Sequence, residues 1–144
     1  MNSEVDASDT AKLYTDGASS GNPGPAGAAF VLLDSAGRTL AERAVPLGRT
    51  TVGVAEYRGL ITGLTEALAL GVKRISVTSD SEFMCRQLQG RYRVRTPAIK
   101  PLYDEAKELS RQFESFEICH AGREHNERAD ALAKQGARMS AERM

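Results

Sequence analysis

Apolar positions change their period part-way along the chain. Residues 12–16 predict a short strand, the Gly/Pro/Ser cluster from Gly17 to Pro25 a turn, and the apolar run Ala26 to Leu33 a second strand. Asp34, Ser35, Ala36 and Gly37 mark a hairpin, and Thr39 to Val45 is compatible with a third strand, which makes the start antiparallel. From Val52 the period becomes helical. Leu60, Ile61, Leu64, Ala67 and Leu68 share one helix face, and Gly71 supplies a stop. Ile75 and Val77 alternate with polar residues in a fourth strand over Lys73 to Ser79, with a short helix over Ser81 to Leu88 behind it. Pro97 and Pro101 bracket the start of a helix running to about Phe113, with Ile99, Leu102, Ala106 and Leu109 on its apolar side. Phe116, Ile118 and His120 share a face of a fifth strand, and Asn126 is placed to cap a last helix carrying Ala129, Leu132, Ala133 and Gly136.

This order predicts an α/β fold: a mixed five-stranded sheet flanked by helices, the first three strands antiparallel and the rest largely parallel. Residues 1–11 and 139–144 are polar and aperiodic, so a flexible N-terminal extension and a frayed C-terminus are expected around a folded unit of residues 12–138. A chain of 144 residues is about one domain and can bury a core without disulfides. With 19 Lys+Arg against 19 Asp+Glu, nucleic-acid binding would need a local basic patch. No apolar h-region opens the chain and no long apolar run follows, so a cytoplasmic location is expected, with no membrane partner. Cys85 and Cys119 lack any C-x-x-C spacing and are expected to be buried free thiols.

Three of four notable carboxylates stand at strand or helix ends and one within a helix. Asp16 meets a glycine-rich turn, where it either caps the turn or points into a crevice. Glu56 shares the register of Leu60 and Leu64, so it lies either in an exposed first turn or in a polar site. Asp80 ends the fourth strand, as a helix cap or as a ligand at the carboxyl edge of a parallel strand. Asp130, in the first turns of the last helix, can pair with Lys134. Were the four to converge, their repulsion would call for cations, and oxygen-only ligation suits magnesium or manganese. Spacing alone does not show that they converge.

Tyr14 to Pro25 reads Y-T-D-G-A-S-S-G-N-P-G-P, and it is followed by T-T-V-G-V-A-E-Y-R around Glu56, T-S-D-S around Asp80, and H-A-G-R-E-H-N-E-R-A-D-A-L-A ending around Asp130. In this order the segments resemble the motifs of the type 1 ribonucleases H over about residues 12–138, in a compact form without the basic protrusion of some relatives. The resemblance implies a ribonuclease H catalytic domain that hydrolyses the RNA strand of an RNA–DNA hybrid endonucleolytically, by two Mg2+ ions with Mn2+ as a substitute, leaving 5′-phosphate and 3′-hydroxyl ends. It further implies that Asp16, Glu56, Asp80 and Asp130 are the metal-binding catalytic carboxylates and that His120 assists proton transfer or product release. A monomer with no obligate protein partner is expected.

By the same resemblance Gly17, Ser19 and Asn22 match positions that contact the minor groove of the hybrid, where a 2′-hydroxyl is sensed. Val52 and Gly53 stand where relatives have asparagines, and Glu82 where many have Gln. Between the two helices Arg91, Arg93 and Arg95 alternate on a stretch free of acids, and there they could track phosphates over Tyr92 and Val94 or form a solvated loop. The rival functions are a non-catalytic hybrid-binding module, to which four intact acids are ill-suited, and a DNA-cutting relative, to which a 2′-hydroxyl sensor would be useless.

Overall fold

The structure, a computed structural model, describes residues 9–144. The elements run β1 (Ala11–Ser19), β2 (Gly24–Leu33), β3 (Thr39–Thr50), α1 (Val52–Ala69), β4 (Arg74–Ser79), α2 (Glu82–Leu88), α3 (Lys100–Ser110), β5 (Ser115–His120), a 3-10 turn (Arg123–His125) and α4 (Glu127–Arg143). They form one mixed sheet in the order β3-β2-β1-β4-β5. β1, β2 and β3 pair antiparallel, while β1 with β4 and β4 with β5 pair parallel, as expected.

Alternation within the strands places α1 and α4 on opposite faces of the sheet. A Cβ on Gly63 of α1 would meet the side chains of Leu13 and Phe30, whereas one on Gly27, an odd number of residues from Phe30 in β2, would meet the backbone of α4. The α1 side holds the main core: Leu13, Phe30, Leu32, Leu60, Leu64, Ile75 and Val77 are all buried. Each such side chain contributes about 1.5–3 kcal/mol relative to an exposed one. The α4 side is built from small residues. Gly27, Ala133, Gly136 and Ala137 let helix and strand approach until backbones touch.

Three expected boundaries differ. Of the N-terminal extension, residues 1–8 lie outside the described residues, and Ala11 is already buried in β1, paired with Ile75. Strand β3 continues past Val45 to Thr50. A register shift there sets Gly27 opposite Pro46 and Ala26 opposite Gly48, so Leu47 is the extra residue of a bulge. The third difference follows from the second. Instead of fraying from residue 139, α4 runs to Arg143, because buried Ser140 accepts hydrogen bonds from the Leu47 and Gly48 N–H groups at 3.0 and 2.9 Å and donates to the Ala26 carbonyl at 2.6 Å. A polar tie to a bulge leaves no trace in hydrophobic periodicity.

Asn126 also departs from expectation. It precedes α4, but its side chain makes no capping bond. Cys85 is buried, whereas Cys119 is exposed, because it alternates with buried Ile118 on the edge strand β5.

The close contact of α4 with β2 yields a stability test. In Gly27→Ala the new Cβ would lie 2.3 Å from Ala137 N and 2.4 Å from Ala133 O, both backbone atoms that cannot rotate away. Urea denaturation is expected to show a loss of about 1–3 kcal/mol or more. Gly53→Ala, in the first turn of α1 and no nearer than 3.6 Å to Ile99 Cδ1, is expected to be neutral or to gain up to about 1 kcal/mol.

Candidate active site

Strand β4 and strand β1 run side by side from Ala11–Ile75 to Tyr14–Thr78 and then part. Continued by two residues, that register would set Asp16 level with Asp80. The notch so formed is at the carboxyl end of parallel strands, where ligands bind in open α/β sheets. Asp16 lies inside β1, only 3% exposed and paired with Ala29, so it is not a turn cap. Nor does Asp80 cap α2: Ser81 does, accepting from Met84 N.

Glu56 reaches the notch because α1 lies against β1 at Gly17. A Cβ on Gly17 would fall 2.4 Å from Ala55 C and Glu56 N, so no other residue allows the helix this close. Asp16, Glu56 and Asp80 each offer a carboxylate oxygen, all within 4.8 Å of one another. Asp130, at the start of α4, adjoins Asp16 through a hydrogen bond and pairs with Lys134 at 3.0 Å. The pairing with Lys134 is the one expected from the sequence.

The electrostatics follow from burial and crowding. Burial, the Asp80 charge and the hydrogen bond with Asp130 push the Asp16 carboxyl up to about 8, although the Gly17 N–H at 2.9 Å opposes this. Burial first, then the charges of Asp16 and Asp80, raise Glu56 well above the ordinary carboxylate range. Asp130 shifts the other way: partial burial raises it, but the Lys134 ammonium and the hydrogen bond with Asp16 outweigh this and hold it low. One further feature tests the fit to a cation. Glu56 Oε1 is buried with no hydrogen-bond partner. A secluded carboxylate oxygen without a donor, among like charges and with no sulfur or nitrogen ligand in the group, suits a hard divalent cation.

The remaining predicted residues divide. His120 ends β5 opposite Ser79, one step from Asp80, and is exposed. Gly17 is buried, and its small size serves the approach of α1. Ser19 donates to the Thr50 carbonyl at 3.1 Å and Asn22 Oδ1 accepts from Val52 N at 3.0 Å, so both hold the β1–β2 turn against the start of α1. Arg91, Arg93 and Arg95 line a cleft of about 830 Å³ together with Glu56, Tyr57 and Ile99. Tyr92 does not pack beneath them. It is 42% exposed, in the same cleft, tilted against Phe83 at 5.4 Å, with the Arg86 guanidinium over its ring. Of the departures, Val52 and Gly53 line this cleft, and Glu82 is engaged by Arg86 at 2.8 Å.

Two residues escaped the sequence reading. Phe83 is 71% exposed, and its signal was an aromatic lying off the stripe of Met84, Cys85 and Leu88. Arg123 approaches Asp80 Oδ2 at 3.4 Å from the turn after β5, a contact with no sequence signal.

Comparison with known proteins agrees with this geometry. The family model described as "Reverse transcriptase-like" matches residues 14–136. The bifunctional protein Rv2228c of Mycobacterium tuberculosis is 42% identical over 122 residues, 84% of this chain but 34% of that protein. The chain thus spans about a third of the length of the mycobacterial relatives it matches. The N-terminal RNase H domain of Rv2228c superposes with a TM-score of 0.91 at 38% identity, over 94% of this chain and 98% of that one. A protein named ribonuclease H from Dinoroseobacter shibae is 36% identical over 142 residues, covering 85% of this chain and 88% of its own. LC11-RNase H1, solved in complex with an RNA/DNA hybrid, gives a TM-score of 0.86 at 34% identity over 92% of this chain and 99% of its own. With the motifs, the sheet order and the gathered carboxylates in agreement, the chain belongs to the type 1 ribonuclease H family.

Proposed function

We propose that this chain hydrolyses the RNA strand of RNA–DNA hybrids as an endonuclease, leaving 5′-phosphate and 3′-hydroxyl ends. The observation that carries the proposal is the gathering of Asp16, Glu56 and Asp80 within 4.8 Å, with Glu56 also lining the cleft that Arg91, Arg93 and Arg95 line. The hybrid bound by the similar LC11-RNase H1 supports the choice of substrate.

Asp16, Glu56 and Asp80 would hold the cations, with Asp130 joining through its place beside Asp16. Held there, magnesium ions, two per site with manganese as a substitute, would supply charge neutralisation to a phosphodiester undergoing in-line displacement. The chain's own groups do the rest. The three arginines attract and register a phosphate backbone along the cleft. Phe83 and Tyr92 offer apolar ring surface beside them. Gly17, Ser19 and Asn22 belong to the turn that would face the minor groove, where the side-chain N–H groups of Asn22 remain to donate because its oxygen is engaged. His120, exposed at the rim, would carry a proton or help the product leave.

The direct test incubates the protein with end-labelled hybrid, double-stranded RNA, double-stranded DNA and single strands, with and without Mg2+. Metal-dependent internal cleavage of the RNA in the hybrid is expected. In Asp80→Asn cleavage should be lost while hybrid binding survives, since an amide keeps the shape but not the charge; turnover near that of wild type would refute the assignment. Replacing Arg91, Arg93 and Arg95 together with Ala should weaken binding and flatten its salt dependence, by up to about 0.9 log units per lost phosphate contact on a DNA scale, with little change in rate at saturation. An unchanged slope would make the segment a solvated loop.

The raised carboxyls make metal-free stability depend on pH. Asp16 and Glu56 hold their protons more tightly folded than unfolded, so their contribution is full below the ordinary carboxylate range and is lost as pH rises, for Asp16 through about 8. In EDTA the urea midpoint should therefore fall between pH 5 and pH 9. Added Mg2+ should restore stability most at the high end, where fewer protons must be displaced. A metal-free midpoint that stays level, or one whose fall is unaltered in Asp16→Asn, would contradict this account.

A further inference from the structure

Beyond the last β1–β4 pair, the Thr15 carbonyl takes its hydrogen bond from a side chain 111 residues away. Asn126 Nδ2 donates to it at 2.9 Å. Asn126 is 2% exposed, and its own carbonyl accepts from the Asp130 N–H at 3.0 Å. One residue thus grips the backbone immediately before Asp16 with its side chain and the backbone of Asp130 with its main chain. It stands where the sheet can no longer do this, because β4 has turned away towards Asp80. The amide is not there to cap α4, since it makes no capping bond. Neither is the arrangement optimised for stability: Asn126 Oδ1 is buried with no partner, which is unfavourable. The fold retains a half-satisfied amide at a point that ties β1 to the start of α4.

We propose that Asn126 is a positioning residue of the cation site, its amide setting the spacing of Asp16 and Asp130 so that the carboxylates converge on a divalent ion. This rests on the reading of the cluster as a divalent cation site. Asn126 touches neither substrate nor cation and acts only through the two acids it ties. Removing groups that orient metal ligands typically lowers metal affinity about 10- to 100-fold, and a tie acting through backbone belongs at the lower end.

The test uses Asn126→Ser, Asn126→Ala and Ser140→Ala. Serine is a good helix N-cap, so the start of α4 is kept, but it is too short to reach Thr15. Ser140→Ala breaks a comparable buried tie on the same helix, far from the acids. Magnesium chloride titrated into each folded protein without nucleic acid, followed by calorimetry, should show affinity reduced about 10-fold in both Asn126 variants and unchanged in Ser140→Ala, although all three lose thermal stability. On hybrid, the Asn126 variants should lose kcat, partly regained at higher Mg2+, with KM unchanged. Wild-type Mg2+ affinity in the Asn126 variants, or an equal shift in Ser140→Ala, would overturn the proposal. In the wild-type protein the Asn126 side-chain NH2 resonances should be protected from exchange and should move on addition of Mg2+; resonances that exchange freely and stay in place would overturn it whether or not the variants fold. A wild-type protein that neither binds Mg2+ nor cleaves hybrid would instead refute the proposed function itself.

Discussion

Three carboxylates held within 4.8 Å of one another repel, and two of them are secluded enough that burial is the largest cause of their raised proton affinity. Such a cluster forms only if the rest of the molecule holds it together. The scaffold acts from three directions. Antiparallel pairing with β2 fixes β1 and thus Asp16, parallel pairing with β1 carries β4 up to Asp80, and α1 brings Glu56 in from above. The large apolar side chains under α1 provide the stabilisation that offsets this repulsion. A cation held there would favour the ionised carboxylates, so metal binding and ionisation would be two sides of one equilibrium.

The two helices that meet the site do so by different physics. Helix α1 is held by large side chains, with Gly17 and Gly59 as the places where backbone must meet backbone. Helix α4 has almost no large apolar residues to bury; it relies on Gly27, Gly136 and neighbouring alanines, and on the polar ties of Ser140 and Asn126 at its two ends. Close packing of small residues leaves little room to adjust. Asp130 is therefore placed by a stiff contact and not by a deep core, and its Lys134 partner holds its carboxyl below the ordinary range, opposite in direction to Asp16 and Glu56.

The cleft beside the carboxylates joins opposite characters. Glu56, which lines it, belongs to a negative cluster, while Arg91, Arg93 and Arg95 line it with positive charge. A chain with no net charge can bind nucleic acid when its cations are grouped in this way. The exposed rings of Phe83 and Tyr92 in the same cleft add apolar surface to the charged one.

Hydrophobic periodicity determined the fold class, because each strand and helix must bury one face and that demand is written locally. The order of elements and the stripe from Leu60 to Leu68 were legible for this reason, and the ordered motifs carried the acids with them through family resemblance. What periodicity could not express were contacts between groups far apart in sequence. Whether Asp16, Glu56 and Asp80 converge depends on where β1 and β4 part and on how closely α1 can approach Gly17, both three-dimensional distances. Arg123 beside Asp80, the exposed Tyr92 on Phe83, Asn126 bonded to Thr15 and Ser140 seated in the β3 bulge were likewise decided only in the fold. Polar ties of this kind have no period, since a hydrogen bond asks for one donor at one place and leaves the neighbouring positions free.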